Sequence, residues 1–490
     1  MIRRLALPLL LGASCAVAQG IPDRPEKLSF PSIAFQVPRA KDAKVILKNR
    51  VPAYLVSDPK GVPIVRIAVL WRGGGYMESE GKAGLAGLFG SQLVLGGTKK
   101  LDAAKLEDRL EALAATLSSS CGETQGTISL QVQEKDVTEG LSLLMQALTE
   151  PAFDKERLDL ARRSARQALE RRNDSVTSIA PLQLAFLLYG DRFFLSPDST
   201  AASLDSIGPE DLAAFHARLL HPANFTVAVS GKFDRKAMVD LLNRTIGALK
   251  AGPGAQPSPK VPVPDFQRTP GLYVTEKDAP QAMLQWVVPG LRRSDPDWHA
   301  AMVMNHILGG SFTGRLMKRI RSDEGLTYGV RTALGEGAYW LGDLTGSLQT
   351  KNRSVAYCLR IAIEEMGRLK TEPLSPAELK AIKDGLIESF PSQWAGRQAT
   401  ATRFAEENLL GWPEDWWVDF REKVQAVTPA DVQRMAKRIL DLERMVVLAV
   451  GKASEIEVGD PDHPGAFQGA AKLPLVHLTL RDPLTLKPVK

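Results

Sequence analysis

The sequence predicts an α+β protein made of two homologous repeats, each an antiparallel sheet with helices packed on one side. Three observations predict this fold class. Short segments recur in the same order about 220 positions later, strand-like and long helical segments are mixed within each repeat, and a proline-rich stretch separates the repeats. A length of 490 residues also exceeds that of one ordinary domain.

The internal repeat rests on five short matches. The segment "LGGT" at 95–98 recurs as "LGGS" at 308–311, and "IGPEDLAAFHARLL" at 207–220 recurs as "VTPADVQRMAKRIL" at 427–440. Each match alone is at the level of chance, but five matches in one order, with offsets between 213 and 222, indicate a duplicated unit. The other three pairs are 129–131 with 347–349, 149–151 with 371–373, and 227–232 with 448–452.

The proline-rich segment at 251–271 predicts a linker between the two units. It places the first repeat at 30–250, the second at 272–457, and a C-terminal tail at 458–490. Apolar runs predict strands at 51–58, 62–73, 127–133, 281–290 and 341–350. Amphipathic periodicity predicts helices at 105–117, 137–151, 154–172, 354–369 and 375–390.

The first twenty residues, "MIRRLALPLLLGASCAVAQG", are typical of a secretory signal peptide that is cleaved after Ala18. Their apolar run is too short to cross a membrane, and no later stretch approaches that length. An alternative is a lipid anchor on Cys15. We therefore expect an exported protein without a transmembrane segment, located in a bacterial periplasm. A disulfide between Cys121 and Cys358 is permitted in that compartment, but the sequence does not show one.

The charge of the chain argues against nucleic acid as a partner. Lysine and arginine number 62 against 56 acidic residues, a net charge of +6. No dense basic tract accompanies this small excess, and we expect the charged residues to form an ordinary solvated surface.

The segment "GLAGLFGSQLVLGGT" at 84–98 predicts a buried helix with an unusual glycine content. A glycine in the interior of a helix costs about 1 kcal/mol relative to alanine. Neither Gly87 nor Gly90 offers a side chain for chemistry, which raises the question of what these positions replace.

The order of elements around this helix resembles the pitrilysin/insulinase family of zinc peptidases. A strand ending in "RGGGYME" is followed by "GLA", a helix, "LGGT" and a second helix, and the resemblance covers nearly the whole mature chain. It implies that the two repeats form a clamshell around an extended peptide. In active members the first helix carries His-x-x-Glu-His, whose histidines bind zinc and whose glutamate is the general base, and a glutamate about 76 residues later is the third ligand.

The resemblance places Gly87 and Ser91 at the histidine positions, Gly90 at the general base and Gln167 at the third ligand. None of these side chains can replace the group expected there. We therefore predict that this chain binds no zinc and resembles the non-zinc chain of bacterial heterodimeric members and of the mitochondrial processing peptidase.

Other metal or catalytic sites are not evident in the sequence. His216 and His221 lie five apart, and His299 and His306 lie seven apart without an acidic residue between them. Such spacing favours histidines packed at helix edges. The segment "SDPK" at 57–60 is a formal Ser-x-x-Lys, but no Lys-Thr-Gly follows it.

A second family feature is retained in "GGSFTGRLMKRIRSDEGLTYGVRTAL" at 309–334. The resemblance implies that Arg321 and Tyr328, seven positions apart, face the zinc-bearing half of a partner. There a guanidinium binds a substrate carbonyl and a phenol donates to the oxyanion. The alternative is structural, with Arg321 as a cation at a helix C-terminus near Asp323 and Glu324, and Tyr328 as an ordinary strand residue. We interpret "GGSFTG" itself as a helix C-terminus and a turn.

Three hypotheses about function follow. The first is an exported, zinc-less subunit of a heterodimeric zinc metalloendopeptidase, inactive alone, whose partner carries zinc and whose extended peptide substrate adds as a strand near 114–120. The second is a non-catalytic scaffold or peptide-binding protein with the same fold. The third, a self-sufficient hydrolase with relocated chemistry, is disfavoured because the sequence contains no alternative constellation.

Overall fold

The computed structural model describes residues 24, 28, 35–196, 198–251 and 257–489. Residues 37–489 of the described chain belong to one compact unit. The predicted signal peptide, with Cys15 and Ala18, lies outside the described residues.

Two mixed sheets organise the described chain, each with six strands. The first sheet has the order β1-β2-β6-β3-β5-β4, and the second has the order β12-β7-β11-β8-β10-β9. The strands of the first sheet are β1 (Lys44–Ile46), β2 (Pro52–Ser57), β3 (Ile64–Arg72), β4 (Thr116–Cys121), β5 (Gln125–Gln133) and β6 (Phe225–Gly231). Those of the second are β7 (Gly271–Glu276), β8 (Gln281–Pro289), β9 (Val330–Leu334), β10 (Asp343–Lys351), β11 (Val446–Gly451) and β12 (Leu475–Leu478).

Helices separate the strands in both halves of the chain. In the first half they are α1 (Ala40–Ala43), α2 (Leu85–Leu95), α3 (Ala103–Ala112), α4 (Val137–Thr149), α5 (Lys155–Glu170), α6 (Val176–Tyr189), α7 (Ala201–Ser206), α8 (Pro209–Leu219) and α9 (Arg235–Arg244). In the second half they are α10 (Trp298–Asn305), α11 (Val355–Thr371), α12 (Pro376–Ser389), α13 (Arg397–Leu410), α14 (Phe420–Ala426), α15 (Pro429–Ile439) and α16 (Ala453–Val458), with π-helical segments at His306–Gly310 and Met317–Asp323.

The two sheets repeat one topology, which confirms the predicted duplication. Strands β2-β6-β3-β5-β4 of the first sheet correspond in order to β7-β11-β8-β10-β9 of the second. Most neighbours are antiparallel, as predicted, but β2 pairs with β6 in parallel and β7 pairs with β11 in parallel. These parallel pairs arise because the last strand of each repeat returns to the first after a long helical excursion.

One helix is shorter than the sequence predicts. The helix predicted to reach residue 117 ends at Ala112, because Ala114 has a positive φ of 46° and the chain then enters β4. The C-terminal tail, to which the sequence assigns no role, adds a strand to the second sheet. Its residues Leu475–Leu478 form β12, which pairs in parallel with β7 at the sheet edge.

Each half of the chain contributes one helix that packs on the sheet of the other half. Helix α13 packs on β2, β3 and β6 of the first sheet, and its equivalent in the first half, α6, packs on β8 and β11 of the second. The ring of Phe404 in α13 lies 5.9 Å from that of Tyr54, and Val176 and Ile179 of α6 share a buried cluster with Val450. The two halves therefore stabilise each other through a reciprocal exchange.

Within the described ranges, no helix combines the length and the apolar character needed to cross a membrane.

Candidate functional site

Helix α2 begins just after a glycine and is anchored by a half-buried carboxylate. Gly84, with a φ of 97°, precedes the helix, and Glu78 accepts hydrogen bonds from the backbone N–H groups of Gly84 and Ala86 at 3.1 and 2.6 Å. These donors are among those that a helix N-terminus leaves free. Burial, with smaller contributions from the nearby carboxylates of Asp198 and Glu123, raises the pKa of Glu78 to about 7, although the two backbone hydrogen bonds act to lower it.

Two glycines of α2 face different environments although they lie three residues apart. A Cβ on Gly87 would meet nothing within 4 Å, whereas a Cβ on Gly90 would lie under 3.0 Å from the backbone of Ser120 and Cys121 in β4. The Ser119 hydroxyl also donates to the Gly90 carbonyl oxygen at 2.6 Å. Strand β4 therefore occupies the space that a side chain at position 90 would need.

The position expected to hold a third metal ligand requires a correction. Helices α2 and α5 face each other across a cavity of about 580 Å³, and Ala168 lines this cavity together with Gly87 and Ser91. Gln167 is exposed and does not line it. Helical geometry explains the shift, because residues 161, 164, 165 and 168 lie on one face of α5 and residue 167 lies beside it. Ala168, which lines the cavity, has no side-chain atom that could bind a metal ion.

The residues present do not fit the zinc site of the active family members. The side chain of Ser91 is a hydroxyl that already donates to the Leu88 carbonyl at 2.9 Å, and Gly87, Gly90 and Ala168 offer no ligand atom. Across the described ranges, no three His, Cys, Asp or Glu residues converge in an arrangement that could hold a metal ion.

The histidines singled out by sequence are packed rather than exposed to a ligand. His216 bonds the Leu148 carbonyl through Nε2 at 2.8 Å, and burial lowers its pKa. His299 stacks on Trp416 with ring centroids 4.9 Å apart, and burial lowers its pKa to about 4. Burial also lowers the pKa of His306. All three are held as neutral packing groups at pH 7.

Cys121 and Cys358, the two cysteines in the described part of the chain, are free and buried. Burial raises the pKa of Cys121 and of Cys358 to about 12, so neither thiol is a nucleophile at neutral pH.

Tyr328 is the most exposed large hydrophobic side chain among the described residues, at 94%. The segment just before Tyr328 is nevertheless fixed by two hydrogen bonds. The Thr327 hydroxyl bonds the Gln349 carbonyl at 2.7 Å, and the Thr350 hydroxyl bonds the Leu326 carbonyl at 2.7 Å. The loop thus holds a phenol out in solvent without covering it.

Arg321 lies at the end of the preceding π-helical segment and differs from its neighbours. Arg315 is paired with Glu378 at 2.7 Å, and Arg319 is paired with Glu365 at 3.0 Å, which fixes the segment on α11 and α12. Within the described residues Arg321 has no ion pair. Its guanidinium stacks over Phe312, 4.8 Å from the ring centroid.

Phe312 was not recognised from the sequence, where it lies in a turn. It is 70% exposed, and its ring lies under the half-buried Arg321 guanidinium. Phe312, Arg321 and Tyr328, which lie between α10 and β9 in the chain, are together called the Arg–Tyr surface here. Phe312 could have been found by searching the predicted turns for an aromatic residue close in sequence to an arginine, since such pairs form cation–π contacts.

Comparison with known proteins identifies the family. A domain model described as "Insulinase (Peptidase family M16)" matches residues 54–187, and one described as "Peptidase M16 inactive domain" matches residues 206–386. Together they cover more than half of the chain. The chain belongs to the insulinase (peptidase M16) family.

Individual relatives agree with this assignment. The non-peptidase homolog YmxG of Helicobacter pylori is 28% identical over 335 residues, which are 67% of this chain and 76% of the relative. An uncharacterized zinc protease of Streptomyces coelicolor is 22% identical over 405 residues, covering 81% of this chain and 87% of that one. The solved peptidase M16 inactive domain of Pseudomonas fluorescens superposes with a TM-score of 0.75 at 22% identity, over 84% of this chain and 97% of that one.

The family assignment gives a meaning to the altered helix α2. Within the insulinase family, this chain is a member whose zinc helix is retained as a fold element while the ligand and base positions hold glycine and serine. The described structure of its first half is therefore that of an inactive member.

Proposed function

We propose that this chain is the exported, zinc-less subunit of a heterodimeric zinc metalloendopeptidase. Arg321 and Tyr328 act in substrate binding and oxyanion stabilisation opposite the zinc-bearing half of a partner from the same family. The subunit has no hydrolase activity alone, and its location is the bacterial periplasm. The observation that carries the proposal is the 94% exposure of Tyr328 on a fixed loop.

The contacts around the pair favour this role over a structural one. Tyr328 precedes β9 and contributes nothing to the core, since a side chain so exposed gains little from burial. Arg321 stacks on Phe312 and does not pair with Asp323 or Glu324 in the described structure. A phenol and a guanidinium held in this way are suited to a carbonyl and an oxyanion supplied from outside the chain.

The edge proposed for an extended peptide is β4, one of the two edge strands of the first sheet in the described chain. Strand β4 is the last strand in its sheet and has β5 as its single neighbour among the described residues. Such an edge presents free backbone groups and can accept an added strand. The contact of Gly90 with Cys121 lies on the α2 side of β4, so it does not replace the missing strand neighbour.

The test is reconstitution with the natural partner. The mature chain is used to capture its partner from the native periplasm, and peptidase activity is measured with and without a zinc chelator. We expect a co-purifying chain with an intact His-x-x-Glu-His and chelator-sensitive activity that neither chain shows alone. A chain that elutes alone and inert would contradict the heterodimer and favour the peptide-binding scaffold.

A variant then assigns the role of the phenol. Tyr328→Phe in the assembled pair should lower kcat by about 100-fold or more, because loss of one oxyanion donor has effects of that size. Tyr339→Phe is the matched control and should leave kcat unchanged. An assembled pair that keeps full activity with Tyr328→Phe would refute the proposed role, even if the heterodimer itself is real.

A further inference from the structure

A polar cavity of about 400 Å³ lies between the first sheet and α13. Its floor covers three cross-strand rows, those of Arg66, Ala68 and Leu70 in β3. These residues alternate with Ile67 and Val69, which face the core that contains α2. Serines and threonines of β4 and β5 complete the floor, and those of β4 are exposed, so the cavity is open on that side. The cavity therefore lies on the face of the sheet opposite the altered helix.

The floor and the roof of the cavity have the same length. From Arg66 to Leu70 the floor extends along β3 for about 13 Å, at the usual rise of a strand. The roof is the side of α13 between Gln398 and Glu406, which extends for about 12 Å at the usual rise of a helix.

Helix α13 runs in the same direction as β3. Near the end of both elements, Nε of Arg72 donates to the Leu409 carbonyl oxygen at 2.8 Å. Near their beginning, the guanidinium of the first residue of α13 lies 3.9 Å from the carboxylate of Asp58, in the turn between β2 and β3. Arg66 and Glu406 therefore lie at opposite ends of the cavity.

The guanidinium of Arg66 is held in a fixed orientation with two nitrogen atoms unbonded. Its Nε donates to the side-chain oxygen of Gln131 at 2.8 Å, and in the described structure neither Nη1 nor Nη2 has a protein acceptor or an ion-pair partner. Two Nη groups side by side are the arrangement that binds a carboxylate through parallel hydrogen bonds. This end of the cavity is therefore suited to a carboxylate.

The carboxylate of Glu406 at the other end has no hydrogen bond or ion pair with any described residue. Burial raises its pKa, Arg403 opposes this shift, and the carboxylates of Glu407 and Glu336 add to it. Arg403 itself stacks over Trp394, 4.6 Å from the ring centroid. A partly desolvated carboxylate is stabilised by a cation that forms a hydrogen bond with it, so this end is suited to an ammonium group.

We infer that this cavity binds a short peptide with two free termini, about three residues long, whose carboxylate pairs with Arg66 and whose ammonium group pairs with Glu406. An extended tripeptide spans about 10–11 Å, and the hydrogen bonds at its two ends fill the remaining length. A zwitterion supplies both missing charges while adding no net charge to the cavity. The site requires neither the proposed zinc-bearing partner nor the Arg–Tyr surface.

The test uses trialanine and its two singly blocked forms. The full mature chain is titrated at pH 7 in a calorimeter with trialanine, N-acetyl-trialanine and trialanine amide. We expect trialanine to bind and each blocked form to bind about tenfold more weakly or worse, the effect of losing one charged hydrogen-bonding group. Failure of trialanine to bind, or equal affinity for the three peptides, would overturn the inference.

Variants assign each terminus to its residue. Arg66→Met should weaken trialanine binding and remove the difference between trialanine and its amide. Glu406→Gln should weaken binding and remove the difference between trialanine and its N-acetyl form. Arg331→Met is the control, because Arg331 is an exposed arginine on another strand, β9. If Arg66→Met fails to fold, Arg66→Lys replaces it, since lysine keeps the charge and loses the paired hydrogen bonds. Unchanged affinity in both site variants would refute the site.

A peptide blocked at both ends separates this inference from the proposed function. If doubly blocked trialanine bound as tightly as trialanine, the cavity would accept an internal stretch of a longer chain, and the inference would be wrong while the proposed function would stand. Since the titration needs only the isolated chain, its result is independent of whether a zinc-bearing partner is found.

Discussion

Substituting alanine at the two glycines of α2 should change stability in opposite directions. At Gly87 the added methyl group meets open space, so only the helix preference for alanine counts. At Gly90 the same methyl group meets the backbone of Ser120 and Cys121 at under 3.0 Å, where ordinary contact begins at 3.4 Å. The same substitution is therefore favourable at one position and a steric conflict at the other.

The magnitude follows from these two effects. Gly87→Ala should stabilise the protein by about 0.5–1 kcal/mol. At Gly90 a similar gain is opposed by overpacking, which costs about 1–3 kcal/mol, and the upper part of this range applies because the neighbour is the backbone of a paired strand. We expect Gly90→Ala to destabilise the protein by about 1–2 kcal/mol, which puts the two variants about 1.5–3 kcal/mol apart.

The assay is urea unfolding of the two variants and the wild type, followed by circular dichroism. A change in midpoint at constant m-value measures the change in the free energy of unfolding. Gly90→Ala with a midpoint equal to or above that of the wild type would refute the argument from β4. The same reasoning implies that histidines are sterically acceptable at position 87, while a glutamate at position 90 would displace β4.

Three further predictions concern other sites. Because the pKa of Glu78 is about 7 when folded and near 4.5 when unfolded, the folded state holds the extra proton between these values. The stability of the wild type relative to Glu78→Gln should therefore fall, by up to about 3 kcal/mol, as pH rises from 4.5 to 8, measured from urea midpoints. Arg293 is 3% exposed and pairs with buried Glu407 at 3.0 Å, so Arg293→Ala should lower the free energy of unfolding by about 3–5 kcal/mol. In a double-mutant cycle, the variant with both Arg293→Ala and Glu407→Ala should lose less stability than the sum of the losses of the two single variants. Tyr328→Phe should leave the melting temperature of the isolated chain unchanged in calorimetry, and a clear fall would show that the phenol has a structural role.

Local patterns predicted the separate elements well. The helix expected at 137–151 is observed as Val137–Thr149, and the strand expected at 281–290 is observed as Gln281–Pro289. The absence of ligand side chains was also evident, because the spacing of "GLAGLFGS" is a property of one helix. Periodicity and spacing within one element depend on neighbours along the chain, which the sequence contains.

Features that depend on distant contacts were not predicted. The pairing of β12 with β7 joins residues about 200 positions apart, and nothing in "LVHL" specifies its neighbour. Ala168, and not Gln167, lines the cavity because of the rotation of α5 about its own axis, which the sequence alone does not give. The short distance between Gly90 and Cys121 depends on the position of α2 relative to the edge strand β4, which is set by the packing of the whole first half.

The exchange of α6 and α13 makes each half an incomplete folding unit. Expressed alone, the first half would leave the face of its own sheet that α13 covers exposed to water, and α6 would have no sheet to bind. Cleavage at the linker after folding should, in contrast, leave two fragments that stay associated without a covalent bond. The duplicated chain behaves as a dimer whose subunits were fused, and the ancestral interface has become part of its interior.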